Sequence, residues 1–117
     1  FMHKSAAEVK ADLDHAIAAG LYFIDIYSPN PDLRRNIGAA LAGRRDSFVI
    51  QGHLCTVWEE GQYLRTRDVA KVMPAFELQL EELGTARLDI GMIHYVDDEE
   101  DYHKVIDTEI ISIARRL

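Results

Sequence analysis

Three short apolar runs, each separated from the next by a stretch of helical periodicity, leave this chain few folds to adopt. Leu21 to Ile26, Phe48 to Gln51 and Leu88 to Ile93 are the runs. Each is too short for a buried helix and is bounded by turn residues, so each reads as a strand. None alternates cleanly with polar residues, which is the pattern of strands covered on both faces. Between them the period changes from two to about 3.6. Ser5 and Glu8 form a capping box ahead of Val9, Leu13 and Ile17, and Gly20 stops that helix. Asn30 and Pro31 open the next, with Leu33, Ile37 and Leu41 on its buried stripe and Gly43 at its end. Val69, Val72, Met73, Phe76, Leu80 and Leu83 mark a third helix, which Pro74 should kink or open. The acids Asp97 to Asp101 favour the start of a last helix, whose apolar face is Tyr102, Val105, Ile106, Ile110, Ile113 and Leu117. The order α-β-α-β-α-β-α predicts one α/β unit over residues 1–117 with parallel strands. Gly52 to about Arg65 reads as a long polar loop, and loops of that length in compact proteins tend to be functional.

Charge and cysteine content narrow the partners. A net charge of -7 argues against nucleic acid. No apolar run approaches the roughly 18 residues of a membrane span. The lone Cys55 excludes an internal disulfide. With no signal-peptide pattern at the N-terminus, a reducing, cytoplasmic location is expected.

In parallel α/β folds, ligands meet the carboxyl ends of the strands. Asp25 and Tyr27 follow the first strand, His53 and Cys55 the second, and His94 and Tyr95 the third. Each strand end thus carries a proton-transfer group. Taken singly, each has a plainer reading: Asp25 as a cap, Tyr27 as a packed aromatic, His53 and His94 as satisfied structural histidines. Their coincidence on one edge makes Asp25, Tyr27, His53 and His94 the candidate catalytic set. Cys55 reads as an inert thiol, Trp58 and Tyr63 as loop packing, and Asp97 to Asp101 as a solvated helix start. Arg34, Arg35, Arg44 and Arg45 read as solvated helix and turn residues.

The stretch "AIAAGLYFIDIYSPNPDLRRNIGAAL", followed by "RRDSFVI" and "LEELGTARLDIGMIHY", resembles the aldo/keto reductases. That family carries an F-D-T-A-x-x-Y-G motif after one strand and an L-G-T-x-Y-I-D-L-x-x-I-H motif leading into another. The resemblance spans essentially the whole chain and points to a divergent bacterial branch. It implies a (β/α)8 barrel that reduces a small-molecule carbonyl with NADPH. It further implies a tyrosine as proton donor, aided by a lysine, an aspartate and a histidine. Asp25 then matches the aspartate, His94 the histidine and Tyr27 the tyrosine. Only Ile26 separates Asp25 from Tyr27, fewer residues than in the family. Gln51, Gly52 and His53 stand where the family has its lysine.

A complete barrel takes about 250 residues. The 117 residues here offer three strands and four helices, so the resemblance implies the N-terminal part of a barrel. No G-x-G-x-x-G loop is present, and no bound cofactor is expected for this segment alone. Two other readings stand beside the reductase: an inactive α/β module that only folds or associates, and a metal site made by Asp25, His53 and His94. No metal is assigned, because no close-spaced ligand pair occurs at the strand ends. One cysteine cannot build an iron–sulfur site. A sheet cut from a barrel has open edges and a bare inner face, so association is expected, with a second copy or with the missing part of a barrel.

Overall fold

The computed structural model describes residues 3–116. Helix α1 spans Ala6–Ala18, strand β1 Phe23–Ile26, helix α2 Pro31–Leu41 and strand β2 Val49–Leu54. Strands β3 (Thr56–Glu59) and β4 (Gln62–Arg65) follow, then helix α3 (Val69–Leu83) and strand β5 (Ile90–Ile93). Helices α4 (Glu99–Ile106) and α5 (Glu109–Ala114) close the described chain. Leu117, assigned above to the last apolar stripe, lies outside the described residues.

The caps fall where the residue types place them. Ser5 accepts from the Glu8 N–H while Glu8 Oε2 accepts from the Ser5 N–H at 2.8 Å. Asn30 Oδ1 accepts from the N–H groups of Asp32 and Leu33, with Pro31 as the first residue of α2. Gly84 ends α3 at φ 60, a left-handed conformation that costs glycine little.

β1, β2 and β5 form a parallel sheet in the order β1-β2-β5. The register pairs Phe23 with Val49, Asp25 with Gln51, Gln51 with Ile90 and His53 with Met92. Paired residues point to the same face. One face, carrying Ile24, Ile26, Ile50 and Leu54, packs against the helices. The other carries Phe23, Val49, Ile90 and Met92, which are 54%, 42%, 41% and 42% exposed. Helices therefore cover one face of the sheet only. At Gly52 an added Cβ would come within 2.2 Å of Leu88 Cδ1 and 2.7 Å of Gln79 Nε2, so the glycine lets α3 lie close to the sheet.

Three expectations are corrected. The segment after β2 is no loop. β2 runs on to Leu54, and residues 56–65 form an antiparallel hairpin pairing Thr56 with Arg65 and Glu59 with Gln62. Its two-residue turn, Glu60-Gly61, has φ 51 and φ 77, as a type I′ turn requires. The last helix is two helices. The Thr108 hydroxyl donates to the Lys104 carbonyl at 2.7 Å and accepts from the Ile110 N–H at 3.3 Å, ending one helix and capping the next. Pro74 does not open the third helix, which starts at Val69 behind the Asp68 cap and carries Pro74 inside it.

Candidate functional site

The bare face of the sheet carries a line of polar side chains at its carboxyl end. Asp25 stands on β1 beside Gln51 on β2, and His53 follows two residues along the same strand face. The His94 N–H donates to the Leu54 carbonyl at 3.1 Å, which continues the ladder one residue past β5. His94 therefore alternates with Ile93 and shares the face of Met92 and His53.

These residues are joined. Asp25 Oδ1 accepts from Gln51 Nε2 at 3.0 Å and lies 2.8 Å from His53 Nε2. His53 Nδ1 lies 2.6 Å from His94 Nδ1. A carboxylate only accepts, so His53 Nε2 carries the hydrogen facing Asp25. With both rings neutral, His53 Nδ1 accepts and His94 Nδ1 donates, an assignment made from the hydrogen-bond network. The His94 Nε2 lone pair is then left over, and that atom is buried with no hydrogen-bond partner among the described residues. Burial holds the His94 imidazole below its ordinary pKa, and His53, Arg67 and Arg65 push the same way while Asp25 opposes them. His94 is accordingly a neutral base. The Asp25 side chain is 44% exposed against 6% for His53, so the line opens to solvent at its acid end.

Of the four predicted residues, Asp25, His53 and His94 are brought together. Tyr27 directly follows β1 but is 53% exposed, and its hydroxyl has no hydrogen-bond partner among the described residues. The metal reading does not survive the geometry. His53 spends both ring nitrogens on Asp25 and His94, which makes a line rather than a convergent set. Among the described residues no group of three or more His, Cys, Asp or Glu could hold a metal ion.

Gln51, read only as standing at the family's lysine position, and Tyr63, read as loop packing, adjoin this line, and Arg65 and Arg67 were not singled out. Gln51 was signalled by its two-residue spacing from His53 on one strand. Arg67 binds Asp101 at 2.8 Å and 2.6 Å through its Nε and Nη2, and Nη2 also donates to the carbonyls of His94 and Tyr95. Arg65 donates to Asp97 Oδ2 at 2.7 Å and to the Tyr95 carbonyl at 3.2 Å. The two arginines latch the hairpin to the segment after β5. The acidic run is thus not wholly solvated: Asp101 is buried, and its bond to Arg67 holds the carboxyl below the usual range. Cys55 sits under the latch at φ 67, and burial pushes its thiol up, away from the reactive thiolate.

Of the four arginines read as solvated, Arg35 is, with its side chain 61% exposed, and Arg34, Arg44 and Arg45 are not. Arg34 is buried and donates to Glu82 at 3.2 Å and to the Ser28 carbonyl at 3.1 Å. Arg44 binds Asp14 and the Ala40 carbonyl, and Arg45 binds Asp89 at 2.8 Å and the Phe48 carbonyl at 2.9 Å. A groove of about 290 Å³ between β3 and α3 is lined by Trp58, Pro74, Leu78 and Arg34 and by none of the Asp25–His53–His94 line. Arg34, Arg65, Arg67 and Lys71 are all engaged by carboxylates.

Among the described residues no helix is long and apolar enough to cross a membrane. No protein-family model matches the sequence, and no curated protein matches it. Solved structures do. Two structures described as aldo-keto reductases from Pseudomonas aeruginosa superpose with TM-scores of 0.79 and 0.80 at 20% identity, each over 97% of this chain. An aldo-keto reductase from Bacillus halodurans, in its holo form, superposes with a TM-score of 0.68 at 17% identity over 91% of this chain. The chain spans 45% of the length of the first two and 39% of the third. It therefore has the fold of part of an aldo-keto reductase barrel.

Proposed function

We propose that residues 1–117 form a single α/β segment, the N-terminal part, of an aldo/keto reductase-like oxidoreductase that reduces a small-molecule carbonyl with NADPH. The observation that carries this reading is the hydrogen-bonded line Asp25–His53–His94 at the carboxyl ends of three adjacent parallel strands. In such barrels that edge is where chemistry occurs. NADPH supplies the hydride, and the residues that would grip its phosphates belong to the rest of the barrel.

This chain's part is the proton. Tyr27, on the open side of β1, is the donor to the developing alkoxide. Asp25 orients His53 and fixes its tautomer, and His53 in turn orients His94. With donors pointing from His94 to His53 and from His53 to Asp25, a line of this kind can pass a proton outward to solvent at Asp25.

The net charge of -7 and the pairing of Arg34, Arg65, Arg67 and Lys71 with carboxylates support a neutral organic substrate, and the reading includes no nucleic acid, no membrane and a cytoplasmic location. The test is carbonyl reduction by the full barrel. Tyr27→Phe should cost more activity than His53→Ala, because only the tyrosine gives its proton to substrate. Equal or greater loss in His53→Ala would contradict the assignment. A second reading, an association module without activity, is favoured by one observation, the half-exposed apolar face of the sheet. A second copy of this chain, or the remaining strands of the barrel, would cover it.

A further inference from the structure

His94 is 2% exposed, and its Nε2 is buried without a partner among the described residues. A buried acceptor left open is costly, so a donor within reach should find it. Two tyrosine rings flank this imidazole. Tyr95 lies 4.2 Å away between centroids, but it is 61% exposed and comes from the adjacent residue. Tyr63 comes from β4, stands edge-on at 5.4 Å and 70°, and is 37% exposed. Its hydroxyl has no hydrogen-bond partner among the described residues. The hairpin that carries it is held at both Arg65 and Arg67 to the segment around His94.

We propose that Tyr63 is a positioning residue for His94: its hydroxyl donates to His94 Nε2 and extends the line to Tyr63–His94–His53–Asp25. The proposal rests on the relay reading of that line. The contact requires a side-chain rotation of Tyr63, since His94 Nε2 has no partner among the described residues in this structure. The bond ties up the one lone pair that could take a proton, so His94 stays neutral and the line keeps one direction. Burial raises the Tyr63 phenol, which keeps it a donor. The other charged or titratable groups facing His94 are His53 on β2, Asp25 on β1, Arg65 on β4, Arg67 behind it, Tyr95 and, through Arg67, Asp101 on α4.

Nitrogen-detected NMR of the histidine side chains in the full chain tests this, with a titration between about pH 5 and pH 8. In the unmutated chain the His94 Nε2 resonance should be that of a hydrogen-bonded acceptor. A free-acceptor resonance overturns the proposal whatever the variants do. Tyr63→Phe keeps the ring and removes only the hydroxyl. It should raise the His94 pKa by about half a unit or more, because the neutral form loses its bond. Tyr95→Phe should leave it nearly unchanged. A Tyr63→Phe titration matching the unmutated chain refutes the role of Tyr63. Asp25→Asn separates the two layers. If it fails to shift His53, the relay reading itself falls; if it shifts His53 while Tyr63→Phe does nothing to His94, only this proposal falls.

Discussion

Replacing Glu82 with leucine is expected to destabilise the fold by about 3–5 kcal/mol, read as a lowered urea midpoint. Glu82 on α3 accepts from Arg34 on α2, and the two side chains are 4% and 3% exposed. Burial pushes the Arg34 guanidinium below its ordinary pKa, and Glu82 pulls it back up. An arginine nevertheless keeps its charge in proteins. Without Glu82 that charge is buried with the Ser28 carbonyl as its remaining buried partner. The cost is the stranded ion rather than the net worth of the pair. The double variant Arg34→Leu with Glu82→Leu should therefore recover most of the loss, since apolar pairs of similar size replace buried ion pairs well. A loss under about 1 kcal/mol in the single variant would mean that water reaches Arg34.

Gly38→Ala is expected to destabilise by about 1–3 kcal/mol, although alanine is the better helix former by roughly 1 kcal/mol. Gly38 lies where α2 crosses the end of α3. An added Cβ would meet the Leu83 carbonyl oxygen at 2.7 Å, its carbon at 2.8 Å and the Glu82 oxygen at 2.9 Å. These are backbone atoms and cannot swing aside as a side-chain tip can, so the helices must part. Parting them also opens the Arg34–Glu82 contact, so Gly38→Ala and Glu82→Leu should be less than additive. Equilibrium unfolding of the single and double variants measures this. A stabilised Gly38→Ala protein would show that the helix crossing is looser than described.

The backbone order was legible because its signals are local. A capping box, an Asn-Pro start and a glycine stop each act within a few residues, and the structure puts helix ends at all of them. The hairpin was not legible. Its turn is Glu60-Gly61, and glutamate is a poor residue for a left-handed position, so the usual Asn-Gly or Asp-Gly signal is missing. Arg67 holds the hairpin across the sheet edge to Asp101, 34 residues away, a pairing that no local pattern announces. Arg34 shows the same limit. On a helical wheel it is one more cation, and only the arrival of Glu82 from another helix makes it buried. In the site, Asp25, His53 and His94 were legible from strand ends and period. The order in which they join, and the approach of Tyr63, depend on strand register and on the hairpin.

The central claim is that this sheet is an open arc of a barrel, with its site on the face that the helices leave bare. Phe23, Val49, Ile90 and Met92 meet water there, and β1 and β5 each present an unpaired edge. At roughly 25 cal/mol per Å², a few hundred Å² of such surface forfeits several kcal/mol, comparable to the stability of a small domain. Sedimentation of the 117-residue chain at micromolar concentration tests this most directly. Reversible association is the predicted result, weakened by Phe23→Ser and Met92→Ser on the bare face. A stable, cooperatively unfolding monomer at every concentration would contradict it.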